Sequence, residues 1–226
     1  KVNNNNIPQS AIVALGRTTA PNNGKDTPPL DLKISKALLE YSQKGRDIQA
    51  KYFAMMALGQ IGGEENRKDL MTAFAKGSKA LEKPWAALSL GVLAYKQYEA
   101  MGSRATIDTG IGSTLAAELG KLKNPSTLAS LSVSLGLCRY TDAGDTLLQL
   151  METYKNQDGL AGYICIGLAL MGEQRATAPI RDLVAASVRR PERLQQAAIA
   201  LGKLGDKNAA EQLVGLMTEG SNTNLA

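Results

Sequence analysis

A short apolar pattern recurs six times along the chain: a small residue, then a large aliphatic residue, then glycine. The glycines that end the copies are separated by 43, 32, 45, 31 and 35 residues, which is typical of arrays of helical hairpins. A glycine inside a helix costs about 1 kcal/mol relative to alanine, so its recurrence indicates that a neighbouring helix approaches closely there. The six glycines are Gly16, Gly59, Gly91, Gly136, Gly167 and Gly202.

A second apolar pattern follows these glycines and predicts a second helix in each copy. Apolar residues 11, 12, 14 and 15 positions after a glycine form one face of an amphipathic helix. This face is clearest at residues 70–74, 147–151 and 213–217. An acidic residue precedes the second helix, where a carboxylate can cap free backbone N–H groups. The predicted capping acids are Glu64, Asp142, Glu173 and Asp206.

The two patterns together predict an all-α chain built from helical hairpins, an α-solenoid. Aromatic residues make up only 4% of the sequence and hydrophobic residues 44%, which also favours helices packed through small side chains. We expect one repeat domain over residues 1–226, and a fragment of a longer chain because the sequence begins without methionine. The predicted hairpins cover residues 9–44, 46–77, 81–123, 125–156, 157–188 and 191–220.

The stretch LQQAAIALGKLGDKNAAEQLVGLM resembles a HEAT repeat, of the short bacterial kind also described as phycobilisome-lyase HEAT-like. The family pattern has a first helix ending Ala-x-x-Ala-Leu-Gly-x-Leu-Gly-Asp and a second helix with Leu-x-x-Leu. The resemblance covers residues 9–220, strongly in the second and sixth hairpins and more loosely in the third and fifth. It implies a right-handed α-α superhelix of about six HEAT-like hairpins. The matching residues are Ala197, Ala200, Leu201, Gly202, Leu204, Gly205 and Asp206.

Three segments depart from the repeat pattern. The first hairpin contains the connector Thr18–Pro29, which is rich in Pro and Asn. The third hairpin has an extra segment, Tyr95–Ser113, which is predicted to lengthen its first helix and add a loop. The fifth has Pro179 in or at the start of its second helix. The two longer insertions are places where a binding site could be added to the repeat array.

Composition argues against the common catalytic chemistries. The chain has no histidine, which excludes His general bases, Ser-His-Asp systems and His-ligated metals. Cys138 and Cys165 are too few for an all-cysteine zinc site, and both are predicted to be buried. We therefore predict no catalytic residue, no metal and no cofactor, and a protein that is not an enzyme.

Charge and hydropathy limit the choice of partner. The net charge of +5 is spread along the chain, so a nucleic-acid partner is not favoured. The basic cluster Arg189–Leu194 is expected to be a solvated loop between repeats, with Pro191 beginning the next helix; the alternative is a site for a phosphate or an acidic peptide. No apolar run reaches the 18 to 20 or so residues that span a membrane. Both a cytoplasmic location and export after removal of a signal peptide stay open.

The leading hypothesis is an interaction scaffold that binds a protein partner on a concave surface lined by the second helices. The alternatives are a bilin-lyase-like factor for chromophore attachment, as the family name implies, and a HEAT-like nucleic-acid-binding protein of the DNA glycosylase type. The apolar second helix of the last repeat also suggests self-association. The residues predicted to contact a partner are Lys68, Thr72, Lys76, Asp145, Gln149 and Arg181.

The aromatic residues concentrate on one long predicted helix, as Trp85, Tyr95 and Tyr98. They are predicted to fill the core around the insertion, while an exposed patch would be an interaction hot spot.

Overall fold

The computed structural model describes residues 6–218, and these residues form helices without any strand. The all-α prediction is confirmed. The α-helices of this part of the chain are α1 (Asn6–Thr18), α2 (Pro29–Lys44), α3 (Ile48–Ile61), α4 (Glu64–Lys76), α5 (Glu82–Met101), α6 (Thr109–Leu119), α7 (Pro125–Leu137), α8 (Gly144–Tyr154), α9 (Asp158–Met171), α10 (Thr177–Ala185), α11 (Pro191–Leu204) and α12 (Asn208–Thr218).

The chain divides into two compact units between Ile111 and Gly112. In the first unit, α3 packs against both α1 and α5, while α2 packs on α3 and α4 packs on α5. In the second unit, α9 packs against both α7 and α11, while α8 packs on α9 and α10 packs on α11. Each unit is thus a stack of helical hairpins, the layout of an α-solenoid. The extent of a single repeat domain stays a prediction.

Four of the six recurring glycines lie where successive first helices touch. A methyl group placed at Gly16 would lie 2.6 Å from Cβ of Ala57 on the next first helix. At Gly59 it would collide with the Ser89 carbonyl oxygen, and at Gly167 with the Ser132 carbonyl oxygen. Only glycine allows backbones to come this close, so the predicted packing reason is confirmed for Gly16, Gly59, Gly136 and Gly167. It is wrong for Gly202, where an added methyl group would meet no described atom within 4 Å.

The predicted capping acids behave in two ways. The Glu173 carboxylate accepts a hydrogen bond from the Arg175 backbone N–H at 3.1 Å, and Asp206 accepts one from Asn208 N–H at 3.1 Å. Glu64 instead lies in the first turn of α4, and Asp142 lies in a short 3-10 turn. The predicted cap of a second helix is confirmed for Asp206, at the start of α12, whereas Glu173 caps the 3-10 turn Gln174–Ala176 that precedes α10.

The insertion in the third hairpin lengthens α5 to 20 residues, as predicted, and a short 3-10 turn and loop lead on to α6. Asp108 anchors this loop, because its carboxylate accepts hydrogen bonds from Arg67 Nε at 2.8 Å and Nη2 at 3.1 Å. The same carboxylate accepts the Ile111 backbone N–H at 2.9 Å, at the start of α6. The loop is therefore fixed to α4.

The basic cluster at the start of α11 is only partly the solvated loop that the sequence predicts, because residues 189–192 are exposed but Arg193 is buried. The Arg193 side chain is only 4% exposed. It donates hydrogen bonds to the carbonyl oxygens of Lys155 at 2.6 Å and Ala186 at 3.1 Å, and to Ser187 Oγ at 2.7 Å. Arg190 and Arg193 both lie near the Asp158 carboxylate, at 2.8 and 3.4 Å. Arg193 thus ties together the loops that follow α8 and α10.

Candidate functional site

The predicted row on α4 lies on the surface of the first unit. Lys68, Thr72 and Lys76 are exposed and four residues apart, so they share one face of the helix. Thr72 Oγ1 donates to the Lys68 carbonyl oxygen at 2.9 Å, within the helix itself. Among the described residues, neither lysine has an ion-pair partner. This face therefore offers two unpaired positive charges.

The predicted residues of the second unit are less available. Asp145 is paired with Arg175 at 2.7 Å, and Arg181 is paired with Asp206 at 3.0 Å. The Asp206 side chain is 4% exposed, and the hydrogen bond from Arg181 lowers the pKa of that carboxyl below its usual value. Gln149 is exposed on α8. Arg181 therefore already has a structural partner.

The aromatic residues that the sequence places on one long helix are partly exposed. The Trp85 ring on α5 stacks on Tyr52 of α3 at 5.9 Å between ring centroids, and meets Phe53 edge-on at 5.9 Å. Tyr52 is buried, whereas Trp85 and Phe53 are partly exposed, as are Tyr95 and Tyr98. Trp85 thus joins α5 to α3, and the partly exposed aromatic residues contribute to the surface formed by the first helices.

A cleft of about 960 Å³ lies within the first unit, and sequence reasoning did not predict it. Its walls are the connector segment 21–25, the α3–α4 turn at residues 60–65, and the C-terminal half of α5. The connector and the lengthened α5 are both departures from the repeat pattern. Their deviation was visible in the sequence, but their convergence on one cleft depends on the way the hairpins stack.

The connector wall of the cleft is held in place by hydrogen bonds. The Asn22 backbone N–H donates to the Ile61 carbonyl oxygen at 2.9 Å. Its side-chain oxygen accepts from Gly24 N–H at 3.1 Å and from Thr27 Oγ1 at 3.3 Å. The Asn22 side chain also lies against Gly63, where a methyl group would be 2.8 Å from Asn22 Cγ. Gly63 has a φ of 94°, a conformation that favours glycine.

The charges around the cleft are mostly compensated. Glu64 lies 3.8 Å from Arg67, and Glu99 lies 3.7 Å from Lys96. The charged lining residues that have no partner among the described residues are Lys25, Lys36 and Glu65. The floor is apolar, with Leu93 and Ile61 buried and Leu32 partly exposed. The lining as a whole carries three lysines and three glutamates, so its charges balance.

Cys138 and Cys165 are buried, as predicted, and neither is in a disulfide. Burial raises the pKa of the Cys165 thiol to about 12, so that it is a neutral thiol at ordinary pH. In the part of the chain that the structure describes, no group of three or more Cys, Asp or Glu could hold a metal ion. Over the same residues, no helix has both the length and the apolar character to cross a membrane.

A family model for the PBS lyase HEAT-like repeat matches residues 194–218, which cover most of α11 together with α12. No curated protein matches the chain. The family model describes a repeat, and a shared repeat does not by itself establish an activity. Residues 194–218 are therefore similar to a PBS lyase HEAT-like repeat, and the stacked hairpins of both units have the layout of a helical repeat array.

Proposed function

We propose that this protein is a non-enzymatic scaffold that binds a protein partner through the exposed faces of its second helices. The observation that carries the proposal is the α4 row, in which Lys68, Thr72 and Lys76 share one exposed face and both lysines are unpaired. Two long side chains that no neighbour neutralises can pair with acidic groups of a partner without first breaking an internal ion pair.

In the second unit the proposed contact residues are Asp145, Gln149 and Arg181. Gln149 is free to bind directly. Asp145 and Arg181 would keep their pairs with Arg175 and Asp206 and present these pairs to the partner. The α4 row is therefore expected to contribute more to affinity than the row in the second unit.

Affinity capture with the intact chain tests the scaffold proposal. The double variant K68E/K76E reverses the two free charges of the α4 row. The matched control, K123E/K207E, reverses two exposed lysines of the second unit that also lack partners among the described residues. We expect the same protein partner to be captured by the intact chain and the control, and to be lost from K68E/K76E. Capture of the same partner in equal amounts by all three chains would reject the α4 row as the binding site.

Self-association through the last repeat is a second candidate. Ile199 of α11 and Val214 of α12 are each 55% exposed. A methyl group placed at Gly202 would meet no described atom within 4 Å, whereas the equivalent position at Gly167 is in close contact. A second copy of the chain could use this open first-helix face.

Light scattering coupled to size exclusion tests this candidate over a range of protein concentrations. We expect the mass of the intact chain to rise with concentration, and the rise to disappear in I199D. The control I48D replaces another exposed isoleucine, in the first unit, and should behave like the intact chain. A constant monomer mass for the intact chain would reject self-association.

A further inference from the structure

The connector of the first hairpin contains Asn23 followed by Gly24, the single Asn–Gly pair in the sequence. In such a pair the glycine backbone nitrogen attacks Cγ of the asparagine side chain, forms a five-membered cyclic imide and releases ammonia. Water then opens the imide and leaves aspartate or isoaspartate. Glycine hinders this attack least, because it has no Cβ. We infer that Asn23 is a site of spontaneous deamidation, and that the Asn22 side chain controls its rate.

Solvent reaches the reacting groups of this pair. Asn23 is exposed, and its side-chain amide has no hydrogen-bond partner among the described residues. Gly24 is also exposed, and a methyl group placed on it would meet no atom within 4 Å. Asn66, by contrast, is 1% exposed, and its amide donates to the Gly62 carbonyl oxygen at 2.7 Å. The Asn23 amide is therefore free to turn, and water can reach the imide.

The folded connector holds the two reacting atoms apart. The Gly24 N–H donates to Asn22 Oδ1 at 3.1 Å, so the attacking nitrogen is engaged with a different side chain. Asn23 has a φ of −100° and a ψ of 28°. Ring closure requires the Gly24 nitrogen and Asn23 Cβ on the same side of the Cα–C bond, whereas at this ψ the nitrogen points away from Cβ. Imide formation therefore requires a local opening that breaks the Gly24–Asn22 hydrogen bond.

The acceptor oxygen of Asn22 is itself fixed by neighbouring groups. The Asn22 backbone N–H donates to the Ile61 carbonyl oxygen at 2.9 Å, which ties the connector to the end of α3. Thr27 Oγ1 donates to Asn22 Oδ1 at 3.3 Å and accepts the Asn23 N–H at 2.8 Å. Because these bonds hold both residues in place, the opening that permits attack is infrequent.

Deamidation would change the rim of the cleft in the first unit. Asn23 and Lys25 both line the cleft, whose three lysines and three glutamates balance one another. A carboxylate at position 23 gives this lining an excess of one negative charge. Isoaspartate also adds a carbon to the main chain between the nitrogens of residues 23 and 24, which disturbs the bonds that they donate to Thr27 and Asn22. The reaction is thus a one-way change in the charge and shape of the connector, independent of the proposed α4 row.

Timed peptide mapping of the full chain tests this inference. The protein is kept at mildly alkaline pH, and samples are digested with trypsin and analysed by mass spectrometry. Cleavage after Arg17 and Lys25 releases residues 18–25, in which fragmentation separates Asn22 from Asn23. We expect Asn23 to be converted in the folded chain, but more slowly than in the same chain unfolded in urea. Asn22→Ala should raise the rate in the folded chain by about fivefold, the factor that corresponds to loss of one ordinary hydrogen bond.

Two further variants separate the Asn22 hydrogen bond from a general loosening of the connector. Asn22→Asp keeps an acceptor oxygen for the Gly24 N–H, so Asn23 should be converted at the rate of the intact chain. Thr27→Val removes the acceptor of the Asn23 N–H but leaves the Gly24–Asn22 bond, so its rate should rise less than that of Asn22→Ala. Circular dichroism checks that each variant is folded.

Each part of the inference has its own contrary result. No conversion of Asn23 in the folded chain, over a period that converts it fully in urea, would overturn the site. Equal rates in the folded and the unfolded chain would overturn protection by the connector, and this comparison needs no variant. Equal rates for the intact chain and Asn22→Ala, or for Asn22→Ala and Thr27→Val, would overturn control by the Asn22 side chain.

Discussion

The first and second helices of this protein are held in place by different forces. Successive first helices meet through glycine and other small residues, so closely that an added methyl group at Gly59 or Gly167 would strike a backbone oxygen. Neighbouring second helices are joined mainly by polar side chains. In the first unit, Asp69 of α4 accepts hydrogen bonds from Gln43 at 2.7 Å and Ser42 at 3.3 Å on α2.

The second unit shows the same contrast. Gly136 and Gly167 bring α7 and α9 into backbone contact. The second helices α8 and α10 are instead tied at their C-terminal ends by the buried Arg193, through the Lys155 and Ala186 carbonyl oxygens. Tight packing of small residues makes the first-helix layer intolerant of added volume. The second helices bury apolar residues such as Leu70 and Phe74, and their outer faces are exposed and can accept changes.

The largest effect should come from added volume in the first-helix layer. Gly167→Val is expected to lower the free energy of unfolding by about 3 kcal/mol, because the side chain would be forced against the Ser132 carbonyl oxygen. Urea unfolding followed by circular dichroism measures it. Gly202→Ala is the control. Its methyl group meets no described atom, so stability should be unchanged or raised by about 1 kcal/mol through helix propensity. A similar loss of unfolding free energy in both variants would contradict the distinction between a crowded Gly167 and an open Gly202.

The next effect should come from the polar tie between second helices. Arg193→Ala removes the donor that satisfies two carbonyl oxygens and one hydroxyl, and should cost about 2 kcal/mol in the same urea experiment. Arg190→Ala is the matched control, since that arginine is 45% exposed and Arg193 still faces Asp158. Its cost should stay below about 1 kcal/mol. Equal costs would show that burial of Arg193 adds nothing.

These two layers differ in how much of them the sequence predicts. The first-helix contacts depend on residue size at a fixed repeat position, so Gly16 and Gly59 are recognisable from their spacing. The polar contacts between second helices do not recur at a fixed position of the repeat. Arg193 lies in a short basic cluster that looks like any solvated loop, and its burial depends on two carbonyl oxygens brought near it by folding.

The proposed binding surfaces and the cleft also differ in how much of them the sequence predicts. The outward direction of Lys68 and Lys76 follows from the helical period of α4. The charge pairing of Arg181 with Asp206, 25 residues further along the chain, requires two hairpins to be stacked. The cleft depends on a larger number of such contacts, because its walls come from the connector, the α3–α4 turn and α5. Contacts between distant hairpins are therefore the part that sequence reasoning misses.

Acidification should weaken a polar tie of the first unit. Burial alone would raise the pKa of Asp108, but hydrogen bonds from Arg67 and from the Ile111 backbone outweigh it and hold the pKa below its usual value. A carboxyl with a lowered folded-state pKa contributes stability above its unfolded pKa of about 4, and this contribution is lost as the pH falls through the folded value.

Asp108→Asn tests that contribution, because asparagine can still cap α6 but carries no charge. At pH 7 the variant should be less stable than the intact chain in urea, by less than the Arg193→Ala loss. The difference should shrink steadily as the pH is lowered below about 4. A difference that is constant with pH would mean that the Arg67–Asp108 charge pair contributes nothing.

The smallest effect should come from the outer face of α4. K68E/K76E changes two exposed side chains without partners, so the free energy of unfolding should move by no more than about 0.5 kcal/mol. Asp69→Ala, on the same helix, removes the acceptor for Ser42 and Gln43 and should cost about 1 kcal/mol. A loss of 1 kcal/mol or so in K68E/K76E would place the lysines within the tie between α2 and α4. A partner lost from a variant of unchanged stability must have contacted those lysines directly.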